Sequence, residues 1–265
     1  MPKLRFYSSV FLGFLKNTFA RESDYRGNLI AEIIDSLLNI FVNVYFFKII
    51  FLNTSTIAGW SSEEMLVLVA VTQLITSILY MLFMNNLPRI QSYVLRGDFD
   101  YILLKPCDSQ FYISFRYFYF GAIPSVIFSI ILLVYAVGKV ETNISFFNIA
   151  YTFFAVIAAV TICYAIWFMI MLLSIIFIKI GAMHELFLSS LKFLEYPKDV
   201  YKGLVRIIML FVIPLATVSN IPAECLLGNN SLSEIIQMLL LVVWFLIISR
   251  VCYLFALKKY TSASS

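Results

Sequence analysis

Charge is scarce in this 265-residue chain: Asp, Glu, Lys and Arg together make up 13% of it, about half the share of a soluble domain. That deficit excludes a soluble fold, whose surface could not be covered. Histidine is scarcer still, with only His184 in the stretch GAMHELFLSS. His184 and Glu185 could form an acid–base pair, but a solvated loop histidine is the commoner situation. Cys107, Cys163, Cys225 and Cys252 are scattered without the paired spacing of a metal site, and no disulfide within the chain is expected. The Gly-x-Ser-x-Gly nucleophile turn and the His-Glu-x-x-His zinc helix are both missing. So is the Gly-x-x-x-x-Gly-Lys-Ser/Thr phosphate loop. The chain therefore does not hydrolyse ATP by that route, and any energy source must be another subunit or an ion gradient. The N-terminal stretch has no uninterrupted apolar core or small-residue cleavage site, so no cleaved signal peptide is expected. No repeat, low-complexity tract or linker divides residues 1–265, which read as one domain.

What fills the chain is apolar: 62% hydrophobic residues, with 26 Phe and 16 Tyr. They fall into runs of roughly 20 residues, each long enough to cross a hydrocarbon core of about 30 Å. The expected fold is an all-α membrane protein with six spans, at about 29–52, 64–85, 117–137, 149–179, 203–220 and 234–257. On that division Lys and Arg collect in the N-terminal segment (Lys3, Arg5, Lys16, Arg21, Arg26) and after span two (Arg89, Arg96, Lys105, Arg116). They also collect around the loop after span four (Lys179, Lys192, Lys198, Lys202, Arg206) and at the C-terminus (Arg250, Lys258, Lys259). The alternate loops have almost none. By the positive-inside rule both termini of this multi-pass protein face the cytoplasm. Within 1–27, Leu4, Tyr7, Phe11, Phe14, Leu15 and Thr18 recur at helical spacing, as in a helix lying in the cytoplasmic interface among anionic lipid headgroups.

Polar residues inside the spans are few. In span one, Glu32, Asp35, Ser36, Asn39 and Asn43 recur every three or four residues and form one stripe. A carboxylate at mid-bilayer costs on the order of 3 kcal/mol, so the stripe must face protein or water. Asn39 and Asn43, with Thr72 and Thr76 of span two, are the candidate pathway residues; hydrogen-bonded helix packing is the alternative use of the same groups. Nothing resembles a proton relay through the later spans.

Between spans two and three, the stretch 86–106 breaks the apolar pattern with NNLPRIQSYVLRGDFDYILLKP. Pro88 suits the first turn of a helix, Gly97 a left-handed position that ends it, and Asp98 a cap on the next short helix, which Pro106 stops. The expected result is a bent, amphipathic cytoplasmic knuckle. Phe99, Tyr101, Ile102, Leu103 and Leu104 exceed what a solvated connector needs, so the knuckle suits docking to a soluble subunit.

Two stretches carry a resemblance to a known family. LRGDFDYILLKPCDSQFYISFRYF resembles the segment after the second span in permease subunits of type-2-class ABC exporters. More narrowly, it resembles a six-span subfamily with paired permease subunits. The pattern Gly-x-x-Asp-x-x-Leu-Leu-x-Pro is met by Gly97, Asp100, Leu103, Leu104 and Pro106. The second stretch, 195–228, meets the Tyr-Pro…Gly…Phe-Val-Ile-Pro…Pro-Ala…Leu-Gly pattern at Tyr196, Pro197, Gly203, Phe211 to Pro214, Pro222, Ala223, Leu227 and Gly228. Lys198, Asp199 and Val200 depart from the small or apolar residues of relatives. The resemblance implies an exporter permease that is not itself an enzyme. It would pair with an identical or paralogous permease and bind two cytoplasmic ATPase subunits, which would hold the ATP and Mg; no cofactor is expected in this chain. Gly97, Asp98, Asp100 and Tyr101 would then dock the ATPase, and Pro214 and Pro222 would shape the outer end of span five and a re-entrant turn that gates the exit. Membrane lipid is an expected partner and nucleic acid is not. A substrate-capture subunit of an ATPase-powered importer is the alternative, and an intramembrane enzyme the weaker one.

Overall fold

A computed structural model describes residues 3–22, 26–141, 144–177, 181–229 and 231–260. Among these residues the fold is all α, with no strand. Helix α1 (Lys3–Glu22) precedes α2 (Arg26–Phe51) and α3 (Ser62–Phe83). Ser61 and Glu64 start α3 with a reciprocal capping box, which satisfies two N–H groups that a helix end leaves unpaired. The knuckle comprises α4 (Arg89–Arg96) and α5 (Asp98–Leu103), followed by α6 (Ser109–Phe115), α7 (Ile123–Val137) and α8 (Phe146–Leu172). The chain ends with α9 (Gly181–Ser190), α10 (Gly203–Ile207), α11 (Leu215–Leu227) and α12 (Leu232–Lys259).

The core forms around α8, which packs against α3, α11 and α12. Of its apolar window, 72% is buried inside the bundle, and small residues such as Ala155, Ala159 and Ala165 allow that close approach. Helix α2 lies at the periphery, against α3 and α7, with only 11% of its window covered. Helix α1 attaches through aromatic edges: Tyr7 on Phe111, Phe11 on Phe115 and Phe118, and Phe14 on Tyr112. Leu12 and Phe19 stay exposed along another face, and Leu4, expected on the face of Tyr7 and Phe11, is exposed as well.

Among the described residues, five helices are long and apolar enough to cross a membrane: Ile30–Phe51, Ser62–Phe83, Phe120–Val137, Phe146–Ile175 and Leu232–Lys259. They match the first four and the last of the expected spans; residues 178–180 lie outside the described residues. The expected fifth span, 203–220, is corrected by the contacts. Helix α12, about 42 Å long, separates two ends of the bundle. At one end Tyr260 packs on Phe99 of the knuckle; at the other sits Glu234. His184 stacks on Trp167 toward the knuckle end of α8, whereas Tyr196 packs on Phe47 and Lys198 pairs with Glu234 at the far end. The fifth passage is therefore made by 181–198: α9, the 3₁₀ turn Leu191–Glu195, the extended pair Tyr196-Pro197, and Lys198 at the start of a second 3₁₀ turn.

Because Lys198 bonds both Glu224 and Glu234, the chain between them leaves and re-enters the same end. Gly203–Leu210 and Leu215–Leu227 are bent by 72° within it and form a re-entrant element. Composition misled because 203–220 is the more apolar stretch, while the true passage carries His184, Glu185, Lys192 and Glu195. Lys198, Lys202 and Arg206 accordingly belong to the end opposite the knuckle.

Candidate functional site

The polar stripe of α2 opens onto a cavity of about 420 Å³ bounded by α3, α7 and the passage 181–198. The cavity is reached from the uncovered face of α2, where Asp35 and Asn39 are exposed. Asn39 Oδ1 accepts from Gln73 Nε2 at 2.8 Å and from Asn43 Nδ2 at 3.1 Å, so three of the lining amides are already oriented by one another. Ser36 Oγ meets Ser125 Oγ at 2.6 Å, and Ser77 meets Ser129 at 3.4 Å, which ties α2 and α3 to α7. Tyr119 donates to Glu32 Oε1 at 3.1 Å. The Glu32 carboxyl rests on Gly121, where any Cβ would collide with it.

Of the expected pathway residues, the structure brings Asn39, Asn43 and Thr76 to this cavity. Thr72 lies behind it, buried, with its hydroxyl donating to the Leu194 carbonyl at 3.0 Å, a packing bond between α3 and the fifth passage. Thr76 lines the wall but spends its hydroxyl on the Thr72 and Gln73 carbonyls. Ser125, Ser129, Lys192 and Glu195 complete the wall. They escaped the sequence reading because the stripe was traced along α2 and α3 alone, and 181–198 was placed in a loop.

The knuckle adopts the expected bend. Gly97 has φ 74° and ψ 3°, a left-handed conformation that glycine reaches without Cβ strain, and it links α4 to α5. Ile90, Phe99 and Ile102 point into the bundle and are buried. Tyr101 and Leu104 point away, 70% and 81% exposed. One expectation fails: Asp98 is not a cap. It occupies the first turn of α5, and the capping position belongs to Gly97, which has no side chain to offer. The aspartate that does cap is Asp108, whose Oδ1 accepts the Phe111 N–H at 3.0 Å and whose carboxylate also takes two bonds from Arg250 of α12. Asp100 lies close enough to Tyr260 that its charge, after burial, pushes the Tyr260 phenol up.

At the far end, Lys198 Nζ reaches Glu224 at 2.9 Å and Glu234 at 2.5 Å, with all three side chains less than a quarter exposed. Asn220 fastens α11 to the same place, accepting from the Lys198 N–H at 2.8 Å and donating to the Tyr196 carbonyl at 3.1 Å. Pro214 stands at the start of α11, at the bend, and Pro222 lies inside α11, where its carbonyl accepts from Thr152 at 3.4 Å.

A family model described as ABC-2 family transporter protein matches residues 37–264. No curated protein and no solved structure matches the chain.

Proposed function

Because the chain belongs to the ABC-2 transporter family, we propose that it is the permease of an ATP-driven exporter and works as a dimer with an identical or paralogous permease. The observation that carries this reading is the uncovered polar face of α2. Asp35 and Asn39 are exposed on the helix that the rest of the chain covers least. A carboxylate at mid-bilayer costs on the order of 3 kcal/mol, and a second subunit would turn this face into a water-filled, protein-lined interior. The cavity bounded by Asn39, Asn43, Gln73 and Thr76 then becomes half of a pathway at the subunit interface.

The chain carries no phosphate loop, so the drive comes from two cytoplasmic ATPase subunits that hold ATP and Mg. Tyr101 and Leu104, exposed on the knuckle, would meet that partner, with Gly97 setting the bend and Asp98 and Asp100 flanking the apolar contact. Knuckle movement would reach the pathway through α8 and α12, on whose ends the knuckle rests. The far end would be the exit, closed by the re-entrant element with Pro214 at its bend and Pro222 in its second arm. Helix α1 and the last turn of α12, which pack at the knuckle end, would face the cytoplasm with both termini, and the membrane would be the plasma (inner) membrane.

The test is purification of the native complex in mild detergent, with the copy number of each chain measured. Two permeases with two ATPase subunits are expected; a single permease without an ATPase overturns the reading. Replacing Asn43 with Leu removes one amide from the cavity wall at little change in volume. The complex should assemble with its basal ATP hydrolysis intact while transport-linked hydrolysis changes. Loss of the dimer with hydrolysis otherwise normal would assign the stripe to helix packing.

A further inference from the structure

Three arginines from three separate elements converge on one aromatic ring. Arg21 at the end of α1, Arg89 at the start of α4 and Arg116 just after α6 each place the guanidinium carbon over Tyr117, at 4.9, 4.6 and 5.0 Å from the ring centroid. Among the described residues none of the three makes an ion pair. Three like charges so close repel one another, and the π face of one tyrosine offsets only part of that repulsion. The platform itself is fixed. Asn86, buried to 1% exposure, clamps the Tyr117 backbone from both sides, accepting its N–H at 2.9 Å and donating to its carbonyl at 2.5 Å. Tyr93 stands beside the ring; burial first and then Tyr117 push its phenol up to about 12, against the opposing pull of Arg116 and Arg89. A surplus of positive charge is thus held in a preorganised place, with Arg21 and Arg89 exposed.

The depth of the cluster indicates what neutralises it. Span Ser62–Phe83 ends three residues before Asn86, and span Phe120–Val137 begins three residues after Tyr117, so the ring sits where two spans leave the hydrocarbon. Helix α1, which supplies Arg21, exposes Leu12 and Phe19, the latter against Phe120 at the start of the span. Apolar surface beside guanidiniums at this level matches an amphiphile with an anionic head. Guanidinium is also the side chain best shaped to take phosphate oxygens, by its planar fork of donors.

We propose that Arg21, Arg89 and Arg116 on the Tyr117 platform form a binding site for the phosphate of an anionic phospholipid in the leaflet at the knuckle end. The lipid head fastens α1, the knuckle and the entry of α7 to one another. This site is independent of the transport reading, since it uses neither the α2 cavity nor the exposed face of Tyr101.

The experiment is native mass spectrometry of the full-length permease, titrated in detergent with phosphatidylglycerol, with phosphatidylcholine and with inorganic phosphate. Phosphatidylglycerol should be retained well above phosphatidylcholine, and phosphate alone should neither be retained nor displace it at equal concentration. Each arginine near an anionic surface contributes about fivefold. Arg89→Gln should therefore cut the preference by about that factor, and Arg21→Gln with Arg116→Gln should remove the rest. A control pair, Lys16→Gln with Lys105→Gln, keeps the platform and should leave the preference unchanged. Equal retention of the two lipids by the wild-type chain overturns the proposal without reference to any variant. So does loss of preference in the lysine control equal to that in the arginine variants, which would mean a diffuse charge effect. Phosphate that displaces the lipid would identify a free-anion site, and loss of a co-purifying protein with lipid retention intact would give the arginines to that protein. Either result sinks the lipid assignment.

Discussion

The knuckle and the re-entrant element are seated on the bundle by different contacts. The knuckle is held by apolar wedges, Phe99 and Ile102 being buried and Phe99 packing on Tyr260 with ring centroids 4.9 Å apart, while the half-exposed Asp108–Arg250 pair beside it ties α6 to α12. At the far end, the chain is fastened by one ammonium between two carboxylates, Lys198 with Glu224 and Glu234. An apolar wedge is non-directional and tolerates small rocking of the parts it joins. A partly buried ion hub is directional and resists change until one charge is removed or satisfied elsewhere. The wedge therefore tolerates small displacements while staying packed, whereas the hub is lost once one of its charges is removed.

The sharpest way to break this comparison is to truncate each fastener in turn. Phe99→Ala empties a fully buried position and should cost about 3–5 kcal/mol of stability, read as a lowered midpoint of thermal or denaturant unfolding in detergent. Lys198→Met should cost about 2–3 kcal/mol, less than a fully buried pair because the hub is partly open to solvent. Adding Glu224→Gln to Lys198→Met should restore part of that loss, since one of the two stranded carboxylates disappears. If Phe99→Ala is silent, or the double variant is no more stable than Lys198→Met, the two ends are not fastened as described.

Legibility in the sequence followed the same division. The knuckle could be read because its signals are local: Pro88 opens a helix, Gly97 ends it in the left-handed region, and both lie within a few residues of what they control. Five spans were legible for the same reason, each being one apolar run in one helix. The fifth passage was not, because a membrane crossing flanked by protein can be polar and short in helix. Residues 181–198 reach the far end with α9, a 3₁₀ turn and the extended pair Tyr196-Pro197, with Lys192 and Glu195 lining the cavity and His184 stacked on Trp167. The hub was invisible in principle, since Lys198 and Glu234 are 36 residues apart and no local pattern brings them together. Lys198 did stand out as a departure from the family pattern it resembles. The structure gives that departure a partner in the re-entrant element and another in α12. The α2 stripe was legible as a stripe, but the cavity beside it was not, because Ser125 and Lys192 enter it from other elements.

Gly97→Val tests the bend that links the wedge to its exposed face. A β-branched residue at φ 74° is strained by about 1–2 kcal/mol, while Asn, which tolerates the left-handed region, should cost much less. Insertion of the spans should survive both changes. Retention of the ATPase subunits during co-purification should fall for Val and hold for Asn; equal retention would mean that the knuckle does not position the docking face.

The smallest expected effects separate two aspartates ten residues apart. Asp108 caps α6 and binds Arg250, so Asp108→Ala should cost about 1 kcal/mol, with the exposed salt bridge adding little. Burial alone would raise its carboxyl, but the bonds from Arg250 and from the Phe111 N–H outweigh it and hold the group below the usual carboxylate range. Its contribution is therefore complete above an unfolded value of about 3.9 and fades as pH falls through the lower folded value. The wild-type chain should lose that increment on acidification, and Asp108→Ala should not. Asp98, exposed in the first turn of α5 with no capping bond, has only a weak favourable interaction with the helix dipole to lose. Asp98→Ala should shift stability by no more than about 0.5 kcal/mol. Unfolding midpoints of the two alanine variants, measured side by side near pH 7, decide the assignment. A larger loss at Asp98 than at Asp108 would place the cap where the structure does not.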